Sequence, residues 1–120
     1  LIGYALTQKM KVFPEYNAAY ISLSQKELSE FNFQKGDTEG LVNYPLSIKG
    51  IKFAALITEK EKDISMSMRS KGNFYVNEFA NKHFSGGGHI YAAGGKSDLS
   101  LEDTIHKFEE LLKEYKDKLI

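Results

Sequence analysis

Cysteine is absent from this 120-residue chain. That excludes a disulfide framework and a thiolate metal site, and it fits a reducing, cytoplasmic setting. No apolar run approaches the ~20 residues needed to span a bilayer, and no signal peptide is visible, so no membrane partner is expected. An excess of one charge is also lacking: 16 basic residues balance 16 acidic ones. This argues against a polybasic nucleic-acid coat or an acidic tail, while leaving room for a local basic patch. Histidine is scarce, with only His83, His89 and His106. No Asp-x-His, His-x-x-x-His or paired-carboxylate pattern joins them, so the clustered ligands of a metal hydrolase are missing. No nucleophile-elbow motif is present either. Internal repeats and low-complexity segments are absent.

What remains is one domain with enough residues for a core. Residues 1–10 carry Ile2, Ala5, Leu6 and Met10 at loosely helical spacing and read as the end of a connecting helix, so the chain is expected to be cut from something longer. Lys11-Val12-Phe13 opens a strand, residues 14–17 form a turn, and residues 18–23 form a second strand with Ala19, Ile21 and Leu23 on one face. Ser24 and Glu27 have the spacing of a capping box, which predicts a short helix to about Phe31 burying Leu28 and Phe31. Asp37 is expected to cap a further short helix over residues 38–43, ended by Tyr44-Pro45. Residues 51–58 are apolar on both faces and predict a central strand. Residues 59–63 are a charged hairpin loop. The final helix begins at Ser100, and Leu101, Ile105, Phe108, Leu112, Tyr115 and Leu119 form one amphipathic stripe. His106 lies off that stripe, toward solvent.

Two stretches carry chemistry. Residues 64–70 alternate with period two, placing Ile64, Met66 and Met68 on a core face and Ser65, Ser67 and Arg69 on the other. Arg69 ends this strand beside Ser67 and Ser70, and its planar fork suits phosphate or carboxylate. A helix over residues 75–83, burying Val76, Phe79 and Ala80, then feeds into Phe84-Ser85-Gly86-Gly87-Gly88-His89. His83 shares the buried face and reads as a packed boundary histidine. Three successive glycines let the backbone bend sharply, and their bare N–H groups can form an anion nest. His89 adds a ring that donates hydrogen bonds or carries charge near neutral pH. A tight turn with a structural histidine is the other reading of this run alone. Ala92, Ala93, Gly94 and Gly95 permit close approach and lead into an extended return over residues 92–97. Phosphate and sugar contacts suit this inventory, and Tyr91, Phe74 or Tyr75 could stack on a base, although Phe74 and Tyr75 read better as half-buried packing.

In order and spacing, Ser67-Met68-Arg69-Ser70, Val76-Asn77 with Ala80, and residues 84–94 resemble the DHH-associated C-terminal domain, the substrate-binding half of DHH-family phosphoesterases. The similarity is nearest to the oligoribonuclease/pAp phosphatases (nanoRNases), whose character the stretch 37–43 shares. The resemblance implies an α+β fold, a mixed β-sheet of about five strands flanked by helices, forming the smaller lobe of a two-lobed enzyme. Residues 1–10 would end the linker helix and residues 11–120 would be the substrate-binding domain. The catalytic lobe, with its Asp and His ligands for manganese ions, would be absent from this chain, which itself would bind no cofactor and hold no catalytic residue. The family pattern assigns substrate grip to Arg69, phosphate contact to His89, and a backbone cradle to Gly86, Gly87 and Gly88. Ser70 joins them as a binding position, with Tyr91 and Ser67 in support. Ser85 stands where the family often has glycine, with little effect expected.

The expected partners are short RNA or a nucleotide phosphate and the intramolecular N-terminal catalytic lobe, and an apolar edge strand could pair in a homodimer. Two alternatives stay open. One is a stand-alone nucleotide or short-RNA binding module without catalysis. The other is the equivalent lobe of a cyclic-dinucleotide phosphodiesterase, and polyphosphate is not separated from these substrates.

Overall fold

The alternating and two-faced apolar segments fold into one mixed sheet flanked by helices, the α+β class that the resemblance implies, with six strands among the described residues where about five were expected. The computed structural model describes residues 2–32 and 40–120. A helical turn Ile2–Tyr4 (α1) continues as a wider π-type turn Ala5–Lys9, followed by strand Met10–Phe13 (β1), a 3-10 turn Pro14–Tyr16 and strand Ala18–Leu23 (β2). Helices Gln25–Glu30 (α2) and Asn43–Leu46 (α3) precede strands Phe53–Glu59 (β3) and Ile64–Ser70 (β4). Helix Val76–Phe84 (α4), a two-residue strand Gly87–Gly88 (β5), strand Ala92–Ser97 (β6) and helix Leu101–Glu114 (α5) complete the order.

Among the described residues the sheet has six strands, in the order β1-β2-β3-β4-β6-β5. All neighbours are antiparallel except β2 and β3, which need the α2–α3 crossover to run the same way. β3 is paired on both edges and buried at every position but Glu59, the central strand expected.

Each face of the sheet has its own core. Phe53, Ile57, Met66, Met68, Phe79, Phe84 and Phe108 pack under α4 and α5. Ala5, Ile21, Leu23, Leu28, Leu41, Val42, Ala54 and Leu56 pack on the opposite face, against α2 and the N-terminal turns. The second core ends at β3. Beyond it the same face presents Ser65, Ser67 and Arg69 on β4, all half-buried, and the exposed Gly94 and Lys96 on β6. The sheet is thus walled by aromatic rings on one side and polar and open on the other at its β4–β6–β5 end.

Local details follow sequence chemistry closely. Ser24 and Glu27 form the reciprocal capping box. The Ser100 hydroxyl accepts the Asp103 N–H at 3.0 Å to start α5. Of the expected stripe, Phe108 and Leu112 on α5 are buried and Leu101 and Ile105 half-buried; α5 ends at Glu114, so half-buried Tyr115 caps it and buried Leu119 follows a closing 3-10 turn Lys116–Lys118. His106 is exposed, 3.7 Å from Glu110 one turn on.

Other expectations are also revised. Met10 belongs to β1 and not to the preceding helix. Phe31 is exposed, its ring 4.5 Å from that of Tyr4. Tyr44-Pro45 lies inside α3, where proline's missing N–H is harmless because first-turn amides have no intrahelical acceptor. Asp37 and its cap lie outside the described residues, which resume at Gly40; residues 40–42 are turn, and the helix starts at Asn43, where the sequence expected one to end.

Candidate functional site

Strand register brings the two singled-out side chains to one row. Arg69 on β4 faces Ala92 on β6. Ala92 in turn exchanges backbone bonds with His89, whose N–H donates to the Ala92 carbonyl at 2.8 Å and whose carbonyl accepts from the Ala92 N–H at 3.3 Å. Residues directly opposed in an antiparallel pair share a face, so Arg69, Ala92 and His89 line up on the open face. With strands spaced ~4.8 Å apart, a guanidinium and an imidazole flank a single methyl group. Arg69 is held by a bond from its Nη1 to the Met68 carbonyl at 2.9 Å. His89 is exposed at the end of the two-residue turn Ile90-Tyr91.

The glycine triplet is an edge strand where the sequence suggested an anion nest. Its start is set by Ser85, which ends α4 in the left-handed region with φ 50°. The Gly86 N–H donates to the Ala80 carbonyl at 3.0 Å. Gly87 and Gly88 pair with Gly94 and Ala93. The close His89–Ala92 pair makes Gly88–Ala93 the non-bonded position of the ladder, so the Gly88 N–H points to the outer edge.

Bareness at Gly86 and Gly88 serves backbone approach. A Cβ on Gly86 would sit 1.9 Å from the Gly94 carbonyl oxygen, and one on Gly88, where φ is +145°, would sit 2.7 Å from that of Ala92. Gly87 is different, since a Cβ there would meet nothing within 4 Å. On the helix side, Gly95 lets α4 settle onto β6, where a Cβ would meet Phe84 Cβ at 2.9 Å.

The remaining singled-out residues divide between the faces. Ser67 joins Arg69, opposite Gly94 and Gly87 in the next row. Ser70 does not join them. It is buried on the core face, and its hydroxyl donates to the Phe74 carbonyl at 2.6 Å, tying the β4 end to the turn before α4. Tyr91 is exposed at the hairpin tip, with its hydroxyl bonded to the Gly72 carbonyl at 2.7 Å and its ring 6.0 Å from Tyr75 in a T-shaped contact. Two backbone bonds fasten the same hairpin, from the Ser70 N–H to the Tyr91 carbonyl at 3.0 Å and from the Val76 N–H to the Ile90 carbonyl at 2.8 Å.

His83 stands elsewhere, at the α4–α5 contact. Its Nε2 lies 2.7 Å from the Tyr115 hydroxyl, and burial, then the charges of Lys82 and Lys107, hold its pKa below the ordinary value. Among the described residues no three His, Asp or Glu side chains gather as metal ligands.

One cation of the open face escaped the sequence reading. Lys96 faces Ser65 on the Arg69 side of the sheet. Counting parity from Ala92 through Gly94 would have found it, but the glycines hid the strand's alternation.

The chain as a whole is similar to known proteins. A family model described as the DHHA1 domain matches residues 15–119. The probable bifunctional oligoribonuclease and PAP phosphatase NrnA of Streptococcus mutans is 37% identical over 100 residues, covering 80% of this chain and 31% of that protein. An exopolyphosphatase-related protein from Bacteroides fragilis superposes with a TM-score of 0.94 at 43% identity, over 98% of this chain and 34% of its own. The pGpG-specific phosphodiesterase PggH from Vibrio cholerae shares the fold, with a TM-score of 0.65 at 16% identity over 94% of this chain and 37% of its own. The chain therefore spans about a third of the length of these relatives. With the family pattern running through nearly all of its residues, this chain belongs to the DHHA1 domain family of the DHH phosphoesterases.

Proposed function

We propose that this chain is the substrate-binding lobe of a phosphodiesterase or phosphatase that acts on short oligoribonucleotides or pAp. The observation that carries the reading is the Arg69–Ala92–His89 row on an open sheet face. Arg69 supplies a permanent charge with paired donors for a phosphate. His89 supplies a second donor on the far side of the Ala92 methyl. The edge N–H of Gly88 and the hydroxyl of Ser67 are further donors near that row. Together they hold a phosphate and its nucleotide in a fixed pose, which is how a positioning lobe assists in-line attack. On this reading the face, with Gly94 and Lys96 exposed beside half-buried Arg69 and Ser67, would form one wall of a cleft. Hydrolysis belongs to the part of the protein outside this chain. Manganese, which the family resemblance implies, would be held there, and Arg69 and His89 would contact the substrate and not the metal. A cytoplasmic location, and pairing of copies through an apolar edge strand, belong to the same reading.

The test is titration of this chain with pAp and with a diribonucleotide while amide resonances are followed. Shifts should centre on Arg69, Ser67, Gly88, His89 and Ala92. Shifts confined to other surfaces would refute the assignment. In the longer protein, His89→Ala should lower turnover with metal content intact, whereas loss of metal would assign His89 a different role.

A further inference from the structure

The Arg69 row is one end of a longer polar face. Two residues along the strands the same face carries Ser67, Gly94 and Gly87, and four residues along it carries Ser65 and Lys96. At ~3.4 Å of rise per residue, Lys96 stands about 14 Å from the Arg69 row. The ground between is low. Gly94 and Gly87 are exposed, a Cβ on Gly87 would meet no atom within 4 Å, and one on Gly94 would meet only the Met66 carbonyl oxygen at 3.5 Å. Arg69 and Lys96 are the two cations that β4 and β6 place on this face, at opposite ends of that ground. Lys96 is largely exposed, and its ammonium lies 4.0 Å from Asp63, the outer limit of an ion pair.

We propose that Lys96, with the Ser65 hydroxyl opposite it, is a second phosphate position of the same site, which makes the chain select linear oligonucleotides over a single nucleotide bisphosphate. This rests on the Arg69–His89 row being the first phosphate position. A single nucleotide held at that row does not span the distance to Lys96, whereas a chain of several nucleotides does. The low ground lets the intervening nucleoside pass without meeting a side chain larger than serine. Asp63 works against the arrangement by offering the ammonium a competing anion.

The test compares pAp with a 5′-phosphorylated triribonucleotide on this chain across a range of salt. Lys96→Ala should weaken the trinucleotide about threefold to fivefold at low salt, as for one exposed charge pair. It should also reduce the slope of log affinity against log salt by about 0.7, while pAp affinity stays unchanged. Asp63→Asn should tighten the trinucleotide alone. Equal effects of Lys96→Ala on both ligands, or an unchanged trinucleotide affinity and salt slope, would overturn the proposal. Arg69→Ala separates the two failures. If it weakens both ligands while Lys96→Ala weakens neither, only the second position is wrong; if it weakens neither, the first position falls and takes the second with it.

Discussion

Alanine placed at each glycine of the triplet in turn should give three different proteins. At Gly86 the new methyl would lie 1.9 Å from a backbone oxygen and 2.7 Å from the Gly95 Cα. Ordinary contact begins near 3.4 Å, so the backbone of β6 would have to move by well over an ångström. Forced overpacking of this kind costs about 1–3 kcal/mol, occasionally more, and the upper end applies because backbone gives way less readily than a side chain. At Gly88 the clash with the Ala92 oxygen combines with φ +145°, a conformation that costs a residue with a side chain about 1–3 kcal/mol by itself. At Gly87 there is open space and no positive φ, so alanine should stabilise by about 0.4–1 kcal/mol through the unfolded chain. At about 4 °C per kcal/mol for a domain of this size, Gly86→Ala and Gly88→Ala should melt roughly 10 °C lower, and Gly87→Ala a few degrees higher. Thermal and urea unfolding of the three variants read this directly. Equal destabilisation of all three, or Gly87→Ala as the weakest, would refute the edge-strand account.

Two further outcomes follow from single side chains. Ser85 holds a left-handed conformation at the end of α4, which costs a residue bearing a Cβ about 1–2 kcal/mol, so Ser85→Gly should raise the urea midpoint; a lowered midpoint would mean the serine is bonded in a way that outweighs its strain. His83 is held below its ordinary pKa by burial and then by Lys82 and Lys107, so the unfolded chain takes up that proton more readily. Its contribution to stability is therefore complete above the unfolded value of ~6.5 and lost as pH falls below it. His83→Gln should flatten the unfolding midpoint between about pH 7 and 5, and an unchanged slope would exclude this histidine as the cause.

Features written in local pattern were legible before folding. The two-faced apolar run announced the central strand, and the Met/Ser alternation sorted Arg69 and Met68 to opposite faces. Ser24 and Ser100 marked helix starts, because a cap is a contact between near neighbours. The glycine hairpin was not legible, since glycines carry no polarity with which to show a period and their partners Gly94 and Ala93 are chosen by register. Ser70 was misplaced for a related reason. Its neighbour Arg69 suggested a shared task, but one step along a strand turns a side chain through the sheet. The helical Tyr44-Pro45 followed from where the helix began and not from proline itself.

The stitching around Ser70 has a mechanical meaning. One serine hydroxyl, two backbone bonds and the Tyr91 phenol knot the end of β4, the start of α4 and the hairpin tip together. Arg69 and His89 grow from two strands of that knot, so the gap between their backbones is set by the weave and not by the ligand. On the reading proposed above, a phosphate would therefore meet a gauge whose width is woven into the backbone.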